Sequence, residues 1–574
     1  MNAVADSANG GFSRFIANHA WKLFLLAVFA FLAAFLVYPL IYCFRAAFVL
    51  NGSLSLFHFS TVFSNPKMLG AVWRSLAIAT ATTVCTFAVT LPAAHLFTRY
   101  RFRGKTFLNS LLLLPMIMPP FVGAIGIMQL LSRYGSLNIL LVEKLHLLDQ
   151  GIDLTKMGMW AVVALEVLHL YPIMFLNLAA AMGNVDPTLE DAARNLGDSG
   201  FSLFRRVTFP LMMPGFFAGA SIVFIWALTD LGTPLILDYP DVLPMYIFRR
   251  VSDINDNPGA YALVIFVLVL TGALFYVSNR YAGKRQYAMI VKGGVGSNEK
   301  PLGRLGTIAA WLGVGALLLV AVLPHISVIL VSIQDKWFMT VLPESVTLRH
   351  YRTALGHKLT LPSIRNSMLY SSLSTIVDIV LGVGIAYLLV RKKFAGSRVL
   401  DAIVMLPLAI PGLVLAFGYV ASYTNTPLDP FVDPTALLVA SYAVRRLPYM
   451  VRAAYAGFQQ VSAGYEEASF NLGASTMRTM RKVTIPLVMA NLMAGTILCF
   501  SFSMLEVSNS LILAFKEEFF PITRAIYQVM PRLADGPYVA SAMGTWAMVF
   551  LGLCLMIAAT LIGRKMGELF RTAG

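Results

Sequence analysis

Charge is scarce in this chain. Of 574 residues only 13% are charged, while 58% are hydrophobic. A soluble protein of this length has no core large enough to hide that much apolar surface. Cysteine is scarcer still. Cys43, Cys85, Cys499 and Cys554 are the whole complement, each inside an apolar run and none in CxxC spacing. That excludes a disulfide scaffold or a thiolate metal cluster and leaves small core residues. No GxxxxGK[S/T] stretch occurs, so the chain has no phosphate loop of its own for ATP. The eight histidines show no HExxH or comparable ligand spacing, and no Ser-His-Asp context is found. A membrane enzyme or a metal centre is therefore poorly supported. Acids number 28 against 44 lysines and arginines, a formal charge of +16. The basic residues lie in short loops, with no basic arm interleaved with aromatics. The excess reads as positive-inside bias, and no nucleic-acid partner is expected.

What the chain does have is apolar runs of roughly 20 residues, the length that crosses a bilayer as a helix. About twelve are expected, near 22–44, 75–97, 107–131, 158–181, 212–233 and 260–279, then 305–332, 367–390, 399–422, 434–454, 488–512 and 538–562. None shows the period-two alternation of a barrel strand, so the fold class is all-α integral membrane. The first run has no clear cleavage site after it and is expected to stay as a span. Arg99, Arg101, Arg103 and Lys105 share one loop, and Arg391, Lys392, Lys393 and Arg398 its counterpart. Lys292 lies in a basic central linker. Opposite loops carry Asp238, Asp241, Asp253 and Asp256, or Asp429 and Asp433. This asymmetry puts the basic loops and both termini in the cytoplasm.

One polar loop occurs twice. EDAARNLGDSGFSLFRRVTFP runs from Glu190 to Pro210, and EEASFNLGASTMRTMRKVTIP from Glu466 to Pro486. Both ends are 276 positions apart. Upstream, Ser75 and Ser367, Phe102 and Phe394, Gly104 and Gly396, Pro115 and Pro407, and Pro119 and Pro411 pair at 292. The 16-residue difference falls near 133–157, an outside loop that tolerates insertion. Each half holds an even number of spans, so the repeats are parallel. The expected organisation is a tail, first span and outer loop at 1–68 and a first repeat domain at 69–280. A cytoplasmic linker at 281–304, a seventh span with its loop at 305–364 and a second repeat domain at 365–574 follow.

The repeated loop predicts a short helix. Asp186 can cap it, Pro187 suits its first turn, and Glu190 and Asp191 favour its positive end. Leu189, Ala192, Ala193 and Leu196 recur at helical spacing as one small apolar face, and Gly197 supplies a left-handed stop. In the second copy Ser462 is the cap, Tyr465, Ala468, Ser469 and Leu472 form the face, Glu466 and Glu467 are its acids, and Gly473 stops it. A helix lying on lipid would want bulkier residues. Small residues in two matched copies suit two pegs entering grooves of a cytoplasmic partner.

These loops resemble those of permease subunits of binding-protein-dependent ATP-binding-cassette importers. That family's motif is Glu-Ala-Ala, three residues, Gly, nine residues, then Ile-x-Leu-Pro. This chain has Asp191-Ala192-Ala193, Gly197 and Val207-Thr208-Phe209-Pro210, then Glu467-Ala468-Ser469, Gly473 and Val483-Thr484-Ile485-Pro486. A fused pair of permease halves is similar to the ferric-iron, thiamine and 2-aminoethylphosphonate group, as are Arg445-Arg446-Leu447-Pro448-Tyr449, Asp230-Leu231-Gly232-Thr233-Pro234 and Glu506-Val507-Ser508-Asn509-Ser510. The resemblance implies a type I importer permease fold in a bacterial inner membrane. It implies coupling helices docked on an ATPase subunit, a homodimer, that carries ATP and Mg, and a periplasmic or extracellular solute-binding protein outside. This chain would bind lipid but no cofactor. The substrate would be ferric iron or a phosphonate. The rival reading is an ion-driven secondary transporter with six-plus-six parallel repeats, which would not need two matched pegs.

Acids inside spans are costly. Asp230 and Glu506, again 276 apart, each end an apolar run. They are candidates for the transport pathway, the alternative being a hydrogen bond to neighbouring backbone. Asp378 is read as structural, and Arg445 and Arg446 are expected to snorkel to the cytoplasmic edge.

Overall fold

The computed structural model describes residues 21–117, 120–251, 259–286, 299–392, 394–532 and 535–571. Pro119, Asp253, Asp256, Lys292, Lys393 and both chain ends lie outside them. The protein is an all-α membrane protein built from two repeats. Among the described residues nine helices are long and apolar enough to cross a membrane, or eleven if each of two bent pairs is one span. They include α1 (Trp21–Phe48), α2 (Pro66–Arg99), α5 (Met159–Gly183), α9 (Arg304–Ile333) and α10 (Thr360–Arg391). A further helix, α13 (Thr435–Gln460), covers the expected 434–454 span but carries Arg445, Arg446 and Arg452.

Two expected straight spans are broken. Near 107–131 the chain forms α3 (Lys105–Met116) and α4 (Phe121–Leu131), bent by 96°. Near 399–422 it forms α11 (Ser397–Leu408) and α12 (Gly412–Tyr423), bent by 98°. The cause is proline. Pro115 and Pro407 each sit in a tight 3-10 turn, and Pro411 immediately precedes α12. Proline removes an N–H and pushes the preceding residue out of helical geometry. A membrane tolerates such breaks where protein buries them, and every residue of α12 is buried. The spans expected at 212–233 and 488–512 also end early. α7 (Phe209–Thr229) and α15 (Ile485–Met504) stop just before Asp230 and Glu506, and short helices Gly232–Ile236 and Ser508–Leu513 follow.

Compact units do not follow chain order. One comprises Met1–Ala46, Pro362–Pro521 and Phe550–Gly574, the other Ala47–Leu361 and Ile522–Val549. Each therefore pairs most of one repeat with the leading span of the other. In the first unit α1 lies on α12. Tyr419 and Tyr423 donate their hydroxyls to the carbonyls of Phe35 (2.6 Å) and Ala34 (2.8 Å). Those carbonyls belong to a π-helical stretch, Ala33–Val37. Wider π-helical bonding disturbs the usual ladder, and tyrosine oxygens supply partners at that point. In the second unit α9 lies on α4, where Ser327 Oγ donates to the Gly126 carbonyl. Gly126 and Gly418 occupy equivalent repeat positions. A Cβ on Gly126 would come within 2.8 Å of the Val328 backbone, and one on Gly418 within 3.2 Å of Pro39. Small residues let helix backbones meet closely in membranes.

The inserted loop near 133–157 has its own brace. Buried Asn138 donates to the carbonyls of Ser132 and Ile152 (both 2.7 Å) and accepts from Ile152 N (2.8 Å). Near the basic loop after α2, Tyr100–Arg101 pairs in parallel with Lys300–Pro301, and Lys105 bonds Glu299 at 2.8 Å.

Candidate functional site

Each repeated loop forms its expected helix: α6 (Pro187–Asn195) and α14 (Ala463–Asn471). Asp186 accepts from Thr188 N at 2.9 Å, and Ser462 Oγ from Gly464 N at 3.2 Å. The C-terminal ends match bond for bond. Gly197 N reaches Arg194 O and Asp198 N reaches Ala193 O, each at 3.0 Å. Gly473 N reaches Phe470 O at 2.9 Å and Ala474 N reaches Ser469 O at 3.1 Å. This double closure requires a left-handed residue, and φ is +94° at Gly197 and +81° at Gly473.

The two acids of each loop separate. Asp191 and Glu467 are exposed, while Glu190 and Glu466 are buried, 5% exposed each. Glu190 Oε1 takes Arg99 Nη2 at 2.7 Å and Thr208 Oγ1 at 2.9 Å. Glu466 Oε1 takes Arg391 Nε at 3.1 Å and Thr484 Oγ1 at 3.2 Å. Thr208 and Thr484 each end a π-helical turn, Phe204–Thr208 and Met480–Thr484. Arg99 and Arg391 end α2 and α10. Each buckle thus ties the short helix to a preceding span and to the start of the next, where Pro210 and Pro486 sit in the first turn of α7 and α15.

The free surface of each loop is apolar at its tip. Leu196 and Leu472 are each 89% exposed, and Leu189, Tyr465, Ala192 and Ala468 are exposed beside them. Ala193 and Ser469, expected on that face, are half-buried instead, and Ser469 bonds Thr479 at 2.9 Å. Phe201 and Met477 extend the exposed surface at equivalent positions. In the sequence these two carry no assigned role, Arg99 and Arg391 stand only as loop charges, and Thr208 and Thr484 only as positions of the motif. All six sit at matching repeat offsets, which was the signal available.

Asp230 and Glu506 sit at equivalent helix breaks but in different company. Asp230 accepts from Gly232 N (3.2 Å) and Thr233 N (2.8 Å), capping the short helix after it. Glu506 is buried and takes Arg445 Nη1 on one oxygen and Arg446 Nη2 on the other. The expectation that these arginines snorkel outward is corrected: Arg446 is 6% exposed and both turn inward. A buried carboxylate offers them more than distant water does. Asp378 is fully buried. In the first repeat the position of Arg445 is taken by His169, which lines a small cavity with His325, Pro115 and Pro324.

The fold, with its broken spans and duplicated buckled loops, defines a membrane permease. The chain belongs to the family described as the binding-protein-dependent transport system inner membrane component, whose model matches residues 87–286 and 378–568. It is a multi-pass permease subunit of that transporter class. It is 26% identical over 555 residues to the ferric transport system permease protein FbpB of Actinobacillus pleuropneumoniae, covering 94% of this chain and 78% of that one. Against a Haemophilus influenzae protein named as a ferric transport system permease, FbpB 1, identity is 27% over 498 residues, covering 84% and 76%. Among solved structures, a bacterial alginate ABC transporter in complex with its alginate pentasaccharide-bound periplasmic protein matches with TM-score 0.39 and 20% identity. It covers 49% of this chain and 99% of that one.

Proposed function

We propose that this permease carries ferric iron into the cytoplasm and is driven by a separate ATPase, a homodimer that docks on α6 and α14. The observation that carries the coupling role is the duplicated loop. Two copies present the same exposed leucine on the same buckled frame. A rigid frame under an exposed apolar tip transmits a push better than a loose loop does. The iron assignment draws on relatives that match across both repeats and are named as ferric permeases. A solute-binding protein would deliver iron to the outer loops, while ATP and Mg stay on the ATPase. Both termini and both loops then face the cytoplasm. Coupling needs contacts at α6 and α14 that differ between the ATP-bound and ATP-free states of the ATPase.

The experiment is uptake of radioactive iron into proteoliposomes holding this chain, its ATPase and a ferric-binding protein. Uptake should require ATP, and Leu196→Cys and Leu472→Cys should cross-link to the ATPase. Iron uptake driven by an ion gradient with no ATPase present would sink the proposal.

A further inference from the structure

We propose that the break between α11 and α12 is a binding subsite for an oxyanion group, a phosphate or carboxylate. The occupant is either a free anion or the anionic part of a transported complex. α12 is twelve residues long and begins at Gly412, with Pro411 as its cap and no side chain bonded to its first N–H groups. The first N–H groups of a helix have no partner within it, and their dipoles favour negative charge. A buried helix start of this kind needs something to accept those bonds.

Two side chains, those of Asn509 and Arg445, converge there. Asn509 is fully buried, and neither its amide oxygen nor its amide nitrogen has a hydrogen-bond partner. Its Oδ1 lies 2.9 Å from where a Cβ on Gly412 would stand. Turning the amide over presents its NH2 at the same place, because the two orientations have the same shape. The same imagined Cβ would overlap Arg445 Nη1. Arg445 and Arg446 share one carboxylate, Glu506, so this trio carries a net charge of +1. Asp378 is a second fully buried acid in this repeat, and neither of its oxygens has a hydrogen-bond partner. Arg445 keeps 17% of its side chain exposed and has further N–H groups to offer. Glycine at position 412 is what lets the guanidinium and the amide come this close to the helix start.

The first repeat does not reproduce this chemistry. Equivalent positions hold Pro120 for Gly412, His169 for Arg445 and Thr233 for Asn509. Asp230 caps its own short helix with no arginine on it. Among the described residues this grouping of glycine, arginine and asparagine belongs to the second repeat. Its role in passage rests on the transport reading; its ability to bind an anion does not.

The test uses the full chain in lipid nanodiscs with two probes, radioactive inorganic phosphate and radioactive ferric citrate. Phosphate should bind saturably. Asn509→Leu and Gly412→Ala should each weaken it by about tenfold, the loss of one charge-assisted contact. Asn509→Asp, nearly the same shape with a negative charge, should abolish it. Arg452→Gln, which removes a cation from the exposed part of α13, should leave it unchanged. Elution volume and melting temperature show whether each variant is folded, and Gly412→Ala decides if Asn509→Asp is not. Displacement of phosphate by ferric citrate identifies the substrate's own anionic group. Retention of phosphate beside ferric citrate identifies a free anion. Absence of saturable binding of both probes, or binding unchanged in Asn509→Asp and Gly412→Ala, overturns the subsite. ATP-driven iron uptake that survives those results leaves the transport reading standing.

Discussion

Arg99 Nη2 stands 2.7 Å from Glu190 Oε1 beneath the first repeated loop. The pair is mostly shielded from water, with 15% and 7% of the two side chains exposed. Breaking one partner of a buried pair leaves an uncompensated charge, which costs roughly 3–5 kcal/mol. We predict that Glu190→Ala loosens α6 and lowers ATPase stimulation by the loaded binding protein. Hydrogen exchange of residues 186–198 should rise. Unchanged exchange would remove the buckle from the coupling account.

Gly197 and Gly473 have open space where a side chain would go, so their requirement is conformational. A non-glycine residue in the left-handed region costs about 1–2 kcal/mol. Gly197→Val with Gly473→Val is expected to unravel both loop ends and to prevent complex formation with the ATPase. Co-purification measures this directly, and an intact complex with normal transport-linked ATP hydrolysis contradicts the prediction.

Leu196 and Leu472 touch little of their own chain. Exposed substitutions of this kind change stability by no more than about 0.5 kcal/mol. Leu196→Asp with Leu472→Asp should therefore keep the melting temperature of the isolated chain and lose ATPase binding. A large drop in melting temperature would mean that the leucines pack inward.

Asn138 spans the inserted loop with three hydrogen bonds. Asn138→Ala removes three hydrogen bonds to partly shielded backbone groups, at about 1 kcal/mol each. Limited proteolysis of the chain in detergent should then cut near 133–157 faster than in the unaltered chain. Equal cutting rates would show that the loop holds without its brace.

Glu506 pairs with two arginines within the second repeat. Glu506→Gln should destabilise the chain by several kcal/mol, on the order of a broken buried ion pair. Asp230→Asn, which keeps a capping side chain, should cost far less, within about 1 kcal/mol. Thermal unfolding in detergent compares the two. Equal costs would mean that the two acids are equivalent despite their different partners.

Much of the loop was legible because its signals are local. Asp186, Pro187 and Gly197 mark helix ends through φ angles and nearby backbone bonds, and these travel with the sequence. The separation of Glu190 from Asp191 was not legible. Adjacent acids look alike until Arg99, some ninety positions earlier, claims one of them. Likewise Arg445 and Arg446 read as a snorkelling pair because their partner lies sixty positions away and only folding brings Glu506 to them. The bends at Pro115 and Pro407 were foreseeable in kind, since proline interrupts helices. Their angles near 96° and 98° depend on neighbours that bury the broken ends.

The sequence by itself determined the membrane class, the duplication and the paired helices of the repeated loops. Apolar length, repeat spacing and capping chemistry are properties of neighbours along the chain. Tertiary structure decided that each leading span packs with the opposite repeat, which acids are buried, and which arginines neutralise them. Those outcomes depend on contacts between residues far apart in sequence, where the cost of a lone charge in an apolar interior selects the partner.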